Sequence, residues 1–276
     1  YEIRLSLVGS EMCIRDRATA WQYRFFVPHD VNGMIQLFGG EKEFTACLDS
    51  LYTVTSNIDG HLSDITGLIG QYVHGNEPSH HMAYLYNFVG QPWKTQEMTR
   101  RLLDEMYSST PGGIIGNEDC GQMSAWYILS SLGFYPVCPG SNEFCLTTPL
   151  FDTVQLKLSN GNTLTIKANN PSRNKYIEKV TFNGQVIDKN YISYEVLMQG
   201  GELLYTLTDQ PDYNRGTQPE SFPYSFTQNK VVSVPYVDKD LNLFLHSINV
   251  QLASTTEGST IHYTCLLYTS DGCRRS

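Results

Sequence analysis

The sequence of 276 residues has no apolar run near the ~20 residues that a membrane-spanning helix needs, and no internal repeat of roughly 20–50 residues. It also has little positive charge: 19 Lys and Arg stand against 28 Asp and Glu, which gives a formal net charge of −9. This acidic balance argues against a nucleic acid or an anionic membrane as partner. The absences predict a globular protein with no membrane span and no nucleic-acid partner.

The seven cysteines include no Cys-x-x-Cys pair, which argues against a zinc ribbon. Three of them, Cys13, Cys265 and Cys273, lie at the two ends of the chain. The remaining four are interpreted as buried thiols and leave the cellular compartment undecided: Cys47, Cys120, Cys138 and Cys145.

Both ends of the chain resemble translated sequencing adaptors. Residues 1–17, YEIRLSLVGSEMCIRDR, have too short an apolar stretch for a signal peptide, lack a small-residue cleavage site after it and run into ATAWQYRFF without a turn. Residues 265–276, CLLYTSDGCRRS, have the same character. We therefore predict that 1–17 and 265–276 are non-native; the alternative is that they are natural exposed tails.

Residues 18–138 predict helices joined by short loops, and hence antiparallel helical pairs. Apolar residues recur at helical spacing in NGMIQLFGGEKEFTACLDSLYT, EPSHHMAYLYNFVG, QPWKTQEMTRRLLDEMY and GQMSAWYILSSLG. Pro78 and Pro92 stand at first-turn positions, and Gly90 and Gly133 stand where helices are expected to end.

Beyond this helical region the apolar period becomes two. VQLKLSNGNTLTIKA alternates on both sides of Asn160-Gly161, KVTFNGQVI repeats the turn signal at Asn183-Gly184, and GGELLYTLT adds another strand. Residues 139–212 therefore predict a small antiparallel β layer, a sandwich. Residues 213–229 predict a linker, and 230–264 predict the start of a further β-module.

The segment YVHGNEPSHH is the first of three that could carry chemistry, and it contains His74, Asn76, Glu77, His80 and His81. The spacing of His74, Glu77 and His80 suggests zinc, but a helical zinc pair prefers histidines four apart and the proline at 78 would end a helix there. A loop ending at a helix start presents Asn76 and Glu77 instead, and oxygen ligands suit Ca²⁺ better. Alternatively, Glu77 only caps the helix and the histidines pack in the core.

The second segment, GNEDCGQMSAWY, places Glu118 and Asp119 just before Gly121 and an apolar helix. A helix N-terminus favours negative charge, so Asp119 is expected to stay ionised near neutral pH, as suits a general base. An inverting glycosidase uses such a base to activate water, with its general acid ~6.5–9.5 Å away. From the sequence alone, helix capping is an equally good explanation.

The third segment, TAWQYRFFVPHD, combines aromatic residues with an ionisable pair: Trp21, Gln22, Tyr23, His29 and Asp30. Such a segment could line a sugar cleft. It is equally typical of a core strip that ends in a helix cap.

In this order, TAWQYRFFVPHDV, GNEPSHHMAYLYNFVGQPWKTQ and GNEDCGQMSAWYILSSLGFYPVCPG closely resemble the C-terminal part of glycoside hydrolase family 92, over roughly residues 18–212. The resemblance implies a calcium-dependent exo-α-mannosidase that trims N-glycans and mannans with inversion, outside the cytoplasm, and hence in the periplasm or secreted. The implied fold is α then β: part of an (α/α)6 six-hairpin barrel, then a small antiparallel β-sandwich. The stretch SINVQLASTTEGSTIHYT is similar to the start of a chitobiase C-terminal-like accessory module.

The resemblance also assigns catalytic positions. Asp119 matches the family's general base and Glu118 lies in the same loop as a supporting residue, whereas Asn117 stands where many members have another Asp. The general acid is expected as Glu in a Glu-Gly pair, at the positions that here hold Arg17 and Ala18. We therefore expect the parent protein to be a glycosidase and this chain, which lacks that Glu, to be inactive.

The remaining implied residues bind calcium or sugar. Asn76 and Glu77 are expected to hold Ca²⁺ against two hydroxyls of an α-mannoside, and His74 to contact the sugar. The other expected substrate-binding residues are Glu77, Trp21, Gln22, His29, Asp30, His80 and His81. Two alternatives remain at this point: a non-catalytic carbohydrate-binding protein, and a zinc hydrolase that uses His74, Glu77 and His80.

Overall fold

A computed structural model of the chain describes residues 20–55, 66–228, 236–237, 250–254 and 258–261. Contacts divide the chain into one compact unit that ends at Gln228 and a second that begins at Asn229. None of the described helices combines the length and the apolarity that a membrane crossing requires.

The first half of the described chain is helical, as the apolar periodicity predicts. The described α-helices are α1 (Ala20–Tyr23), α2 (Val31–Leu37), α3 (Glu41–Thr53), α4 (Pro92–Met106), α5 (Gln122–Leu132) and, among the strands, α6 (Tyr194–Met198). Pro92 begins α4 as expected, and Gly133 ends α5 with a φ of 96°, a left-handed conformation that favours glycine. The closed six-hairpin barrel stays a prediction.

The segment expected to form a helix around Met82 is a pair of 3₁₀ helices instead, Glu77–Ser79 and Met82–Phe88. Pro78 lies in the first turn of the earlier one, as predicted. Every residue of Met82–Phe88 is buried. Because the segment is enclosed on all sides, packing decides its winding, and the one-sided apolar pattern that predicted an α-helix is only part of its environment.

The strands form several small sheets. A hairpin joins β1 (Leu68–Ile69) to β2 (Tyr72–Val73), and a three-stranded sheet orders β3 (Phe134–Tyr135), β4 (Glu143–Leu146) and β9 (Tyr191–Ser193). A five-stranded sheet orders β5 (Thr153–Lys157), β6 (Thr163–Ala168), β10 (Gly201–Thr208), β7 (Tyr176–Phe182) and β8 (Gln185–Val186). In the second unit, β11 (Tyr236–Val237) pairs with β12 (Leu252–Ala253).

The expected hairpin turns are confirmed, but the five-stranded sheet is mixed rather than wholly antiparallel. Gly161 and Gly184 link β5 to β6 and β7 to β8 with φ of 89° and 82°. Strand β10 lies antiparallel to β7 but parallel to β6, with Leu203 opposite Ile166. The chain forms β7, β8, β9 and α6 before it returns to β6, and this long connection allows a parallel neighbour that no local turn signal announces.

Two hydrophobic clusters fill the first unit. The helical cluster includes Phe44, Tyr84 and Trp126, all with no exposed surface, and the β cluster combines residues of both larger sheets, such as Phe134 and Leu203. Leu129 of α5 packs against both clusters.

Helix α4 is tied to the β region by a buried arginine. Arg100 is 4% exposed, and its guanidinium donates to the carbonyl oxygens of Pro149 and Pro171, each at 2.9 Å. Close by, Asn87 donates to the Leu146 carbonyl oxygen, and Asn190 donates to the Asn87 carbonyl oxygen. These bonds satisfy polar groups that would otherwise be buried unpaired, so they fix the helical and β regions to each other.

Up to residue 228 the expected linker 213–229 belongs to the first unit and is hydrogen-bonded to it on both sides. At its beginning, the Asn190 side chain donates to the Gly216 carbonyl oxygen, and Arg215 donates to the carbonyl oxygens of Ile187 and Lys189. We refer to residues 213–228 as the strap.

The last residues of the strap are hydrogen-bonded to Asp30, the N-cap of α2. Asp30 Oδ1 accepts from the Gly33 amide, the Ser225 hydroxyl and both the amide and the hydroxyl of Thr227, at 2.7–3.1 Å. The Asn32 amide donates back to Ser225 Oγ at 2.7 Å. Burial opposes ionisation, but these hydrogen bonds outweigh it and lower the pKa of Asp30. Asp30 is therefore a cap and an anchor, the second explanation that its sequence segment allowed.

We expect Asp30→Ala to lower the free energy of unfolding of the 276-residue chain by about 1–3 kcal/mol, because it removes a helix cap and leaves the strap hydroxyls without their acceptor. Asp30→Asn, which keeps an acceptor oxygen, should lose less than half as much. Urea denaturation followed by far-UV circular dichroism measures both. Equal losses for the two variants would show that charge, rather than the hydrogen bonds, holds the strap.

Candidate active site

Two of the predicted chemical segments meet through their glycines. A Cβ placed on Gly116 would lie 2.6 Å from Thr66 Oγ1 and 3.3 Å from the Cα of Gly75, and a Cβ on Gly75 would collide with the same Thr66 oxygen. Neither position has room for a side chain, so the loop that carries Asn76 and the loop that carries Asp119 pack backbone to backbone. This close contact brings the predicted calcium loop and the predicted base into one site.

The Asp119 loop contains a rare run of left-handed backbone. Asp119, Cys120 and Gly121 have φ of 51°, 57° and 103°. For the two residues that carry a Cβ, this conformation costs about 1–3 kcal/mol each and persists only where the surrounding contacts enforce it. Asp119 is half-buried and Cys120 exposed, so the turn carries the carboxylate at the surface of the unit.

Glu118, the neighbour of Asp119, binds amides at the beginning of helix α5. Helix α5 has Gly121 at its N-cap, and the carboxylate of Glu118 accepts from the Gly121 amide and, at 3.3 Å, from the Ser124 amide. The Ser124 hydroxyl and these amides hold the pKa of Glu118 below its usual range. The sequence could not show which of the two carboxylates binds these amides, because the directions of adjacent side chains depend on the left-handed turn.

His74 lies at the centre of a buried aromatic cluster. Its ring stands 4.4 Å from the Trp126 ring, and its nitrogens bind two tyrosines: Nδ1 to Tyr72 Oη at 2.9 Å and Nε2 to Tyr107 Oη at 2.8 Å. Tyr107 Oη donates to the Met123 carbonyl oxygen, so it accepts from Nε2–H, and Tyr72 donates to Nδ1. Desolvation, with a smaller effect of His80, lowers the pKa of His74 well below its usual value. Both nitrogens are thus used within the protein, and the contact expected between His74 and the sugar stays a prediction.

His80 connects this cluster to the Asp119 loop. Its Nε2 donates to the His74 carbonyl oxygen at 2.9 Å, which leaves Nδ1 to accept from Gln122 Nε2 at 3.0 Å. Burial lowers the pKa of His80 to about 4, although the negative charge of Asp119 acts in the opposite direction. His80 is thus a neutral, fully bonded side chain that lies within electrostatic reach of Asp119.

Zinc is not supported by this arrangement. The ring nitrogens of His74 and His80 are already hydrogen-bonded, and no group of three or more His, Cys, Asp or Glu suited to a metal occurs within the described part of the chain. Glu77 begins the 3₁₀ helix and does not cap it: the N-cap is Asn76, whose side chain makes no capping bond.

Around the Asn76 loop, several buried polar atoms of the described residues make no hydrogen bond. Among the described residues, the buried Thr66 Oγ1, Ser79 Oγ and Asn76 Nδ2 make no hydrogen bond. Ser79 is fully buried and Asn76 is 3% exposed. Because unsatisfied buried polar groups are costly, the two hydroxyl groups are expected to bind a water molecule or a cation, whereas the Asn76 N–H₂ is a donor and needs an acceptor such as water. Hydroxyl, amide and carboxylate oxygens, with Glu77 beside them, are the donor types that Ca²⁺ prefers.

The third segment divides between two places. Helix α1, with the buried Gln22, packs against β2 and the 3₁₀ turn at Glu77, and the Gln22 amide donates to the Gln71 carbonyl oxygen. Trp21 is half-buried there, under the Arg24 guanidinium. His81 donates from Nε2 to the Phe25 carbonyl oxygen at 2.7 Å and is buried in the same region.

His29 and Asp30, in contrast, lie at the strap. His29 lines a cavity of about 360 Å³ together with Glu143 and Tyr224, and the Tyr224 amide donates to Glu143 Oε2. The structure thus brings Trp21, Gln22 and His81 to the Asn76 loop, and it does not bring His29 or Asp30 there.

Sequence reasoning missed the groups that hold the site histidines, namely Tyr72, Tyr107, Gln122 and Tyr135. Gln122 donates to both His80 and Tyr135, and Tyr107 also lines a surface pocket of about 480 Å³ with Ser124 and Tyr127. One signal could have found Tyr72: residues two apart on a strand share a face, so Tyr72 and His74 were candidates for contact.

Comparisons with known proteins identify the family of this chain. The sequence profile of the glycosyl hydrolase family 92 catalytic domain matches residues 10–209. The chain belongs to glycosyl hydrolase family 92. A secreted glycosidase of uncharacterised activity from Arthroderma benhamiae is 33% identical over 191 residues, which are 68% of this chain and 23% of that protein.

Solved family 92 structures share the fold. A family 92 α-mannosidase from Bacteroides thetaiotaomicron, in complex with mannoimidazole, is 40% identical with a TM-score of 0.72, over 76% of this chain and 28% of that one. A family 92 inverting mannosidase from the same organism is also 40% identical, with a TM-score of 0.67, over 76% of this chain and 30% of that one. The family 92 chain described here thus spans between about a quarter and a third of these relatives.

The buried histidines predict an acid-sensitive family 92 unit. Burial lowers the pKa of His80 and of His81 to about 4, so between pH 6.5 and 4 the unfolded chain binds more protons than the folded one. The free energy of unfolding should be constant above pH 6.5 and fall below it by up to ~1.4 kcal/mol per pH unit for each histidine. Urea denaturation of the 276-residue chain at pH 7.5, 6.0 and 5.0 measures this.

In the same experiment, His81→Gln should reduce the slope between pH 6.5 and 5.0 by about a third, because burial lowers the pKa of His74 as well as those of His80 and His81. His29→Gln is the control, because His29 is exposed. A slope near zero in the unsubstituted chain would contradict the assignment of neutral buried histidines.

Proposed function

We propose that the protein to which this chain belongs hydrolyses terminal α-mannosides of N-glycans or mannans with inversion, with Asp119 as general base and with Ca²⁺ as cofactor. The observation that carries the proposal is the backbone contact at Gly75 and Gly116, which sets the Asp119 loop against the Asn76 loop. Family 92 structures that superpose on this chain are mannosidases, one of them solved with mannoimidazole and another named as inverting.

The position of Asp119 supports a role as general base. It is half-buried at the surface of the site, on a left-handed turn, and Glu118 rather than Asp119 is the residue that binds the Gly121 and Ser124 amides. In a single displacement the base takes a proton from water, the water oxygen bonds to the anomeric carbon, and the glycosidic bond breaks as the acid protonates the leaving oxygen. The acid position, Arg17 in this chain, lies outside the described residues.

Asn76 and Glu77 would hold the calcium ion, with Thr66 and Ser79 as further oxygen donors of the same loop region. When bound, the ion supplies positive charge that binds adjacent sugar hydroxyls and favours a distorted ring. Asn76 is buried at the N-cap of the 3₁₀ helix, and its side chain makes no capping bond there.

We also propose where the parent protein acts and whether this chain is active. A relative named as a secreted glycosidase supports a secreted or periplasmic parent. Because Arg17 and Ala18 replace the expected Glu-Gly pair, we infer that the 276-residue chain by itself does not hydrolyse mannosides. A carbohydrate-binding protein without hydrolysis is the remaining alternative, and the following experiment decides between the two.

We expect Asp119→Ala in the full-length protein to lower kcat for an aryl α-mannoside by roughly 10²–10⁴-fold, because the attacking water loses its base. The melting temperature should change little, since Glu118 caps the helix. Asp152→Asn is the control: Asp152 is exposed on the β region. Azide should restore part of the activity by replacing water as nucleophile. Unchanged turnover in Asp119→Ala would contradict the base assignment, and mannose binding without any turnover in the unsubstituted protein would favour the binding module.

Calcium removal is a separate test. We expect chelation with EGTA to lower mannose release by the full-length protein at least about tenfold, and added Ca²⁺, but not Zn²⁺, to restore it. Asn76→Ala should raise the Ca²⁺ concentration needed for half-maximal activity. Full activity after exhaustive chelation, or mannose release by the 276-residue chain itself, would contradict the corresponding proposal.

A further inference from the structure

The left-handed turn at Asp119–Gly121 has little packing to hold it. Cys120 is exposed, and a Cβ placed on Gly121 would meet no atom within 4 Å. Within the described part of the chain, no neighbouring side chain packs against Gly121 on this side. Hydrogen bonds must therefore keep three successive residues at positive φ.

The backbone bonds that span the turn are long, although the Gly121 carbonyl oxygen also accepts from the Ala125 amide at 2.8 Å as part of α5. The Gln122 amide donates to the Asp119 carbonyl oxygen and the Met123 amide to the Glu118 carbonyl oxygen, each at 3.3 Å. The Glu118 side chain adds two bonds of its own: Oε2 accepts from the Gly121 amide, and Oε1 reaches across the turn and accepts from the Ser124 amide at 3.3 Å. A charged acceptor on two amides is also stronger than a neutral one.

We propose that Glu118 is a positioning residue whose carboxylate clasps the amides of Gly121 and Ser124, and so holds the left-handed turn that places Asp119. This inference rests on the proposed function for its catalytic consequence, but the clasp itself is a property of the fold. Glu118 does not touch substrate in this arrangement, because both its oxygens are directed to the beginning of α5.

Loss of the clasp should lower kcat and leave KM almost unchanged. Removing the clasp lets Asp119 leave the place from which it can take a proton from water, while the Asn76 loop, held by Thr66 and Gly116, keeps its own conformation. Misplacement of a catalytic group by ~1 Å can lower the rate ~10²-fold. We therefore expect Glu118→Ala in the full-length protein to lower kcat about 10–100-fold with KM within about twofold of the unsubstituted value.

Two matched variants isolate the hydrogen bonds. Glu118→Gln removes the charge and keeps one oxygen for the Gly121 amide, but its N–H₂ can bond only the Ser124 hydroxyl and not the Ser124 amide, so kcat should fall less than in Glu118→Ala and stay within about fivefold of the unsubstituted protein. Glu195→Ala is the control: Glu195 is also a carboxylate in the first turn of a helix, bonded to Asn142 and remote from the site along the chain. If Glu118→Gln falls as far as Glu118→Ala, the charge rather than the clasp matters and the proposal is overturned.

The reactivity of Cys120 reports on the conformation of the turn without a measurement of enzyme activity, because Cys120 is one of the turn residues and is exposed. Alkylation of Cys120 by iodoacetamide, followed by mass spectrometry of its peptide, should differ at least threefold in rate between Glu118→Ala and Glu118→Gln, with equal melting temperatures. Rates within twofold of each other would overturn the clasp whether or not the protein is a mannosidase. A clear rate difference with no activity in the unsubstituted protein would support the clasp and contradict the proposed function.

Discussion

The contact between the backbones of Gly75 and Gly116, over Thr66 Oγ1, is the constraint on which the rest of the site depends. Two glycines are needed because neither loop can retreat: the first leads into the 3₁₀ helices of the buried core, and the second leads into α5. Any side chain at these positions would separate the loop with the oxygen donors from the loop with the carboxylates. The chemistry of both loops is thus tied to a distance that a methyl group would change.

The histidines hold the site through hydrogen bonds within the protein. His74 and His80 are buried, neutral and bonded at both ring nitrogens, and their partners belong to β2, α5 and the loop after α4. A neutral imidazole with one donor and one acceptor fixes two neighbours in defined directions, which a hydrocarbon of the same size cannot do. Their role in the described structure is to hold the elements on which Asn76 and Asp119 stand.

Local chemistry made part of this readable from the sequence. Pro92, Gly133 and the two Asn-Gly turns impose their backbone conformation wherever they occur, and the structure confirms each. The parallel neighbour of β10, the 3₁₀ winding of Met82–Phe88 and the docking of the strap on Asp30 depend on contacts between distant segments. The pair Glu118 and Asp119 lies between these two cases. The sequence pattern predicted a carboxylate that caps α5, but only the structure shows that Glu118 binds its amides.

The strap has a consequence for the order in which the protein can take shape. The cap of α2 is completed by Ser225, which lies 195 residues after Asp30. During synthesis at ~5–20 residues per second, about 10–40 s pass between the appearance of the two residues at the ribosome. Until then the N-terminus of α2 is only partly satisfied, so this helix reaches its final stability only when residues near the end of the same unit have emerged.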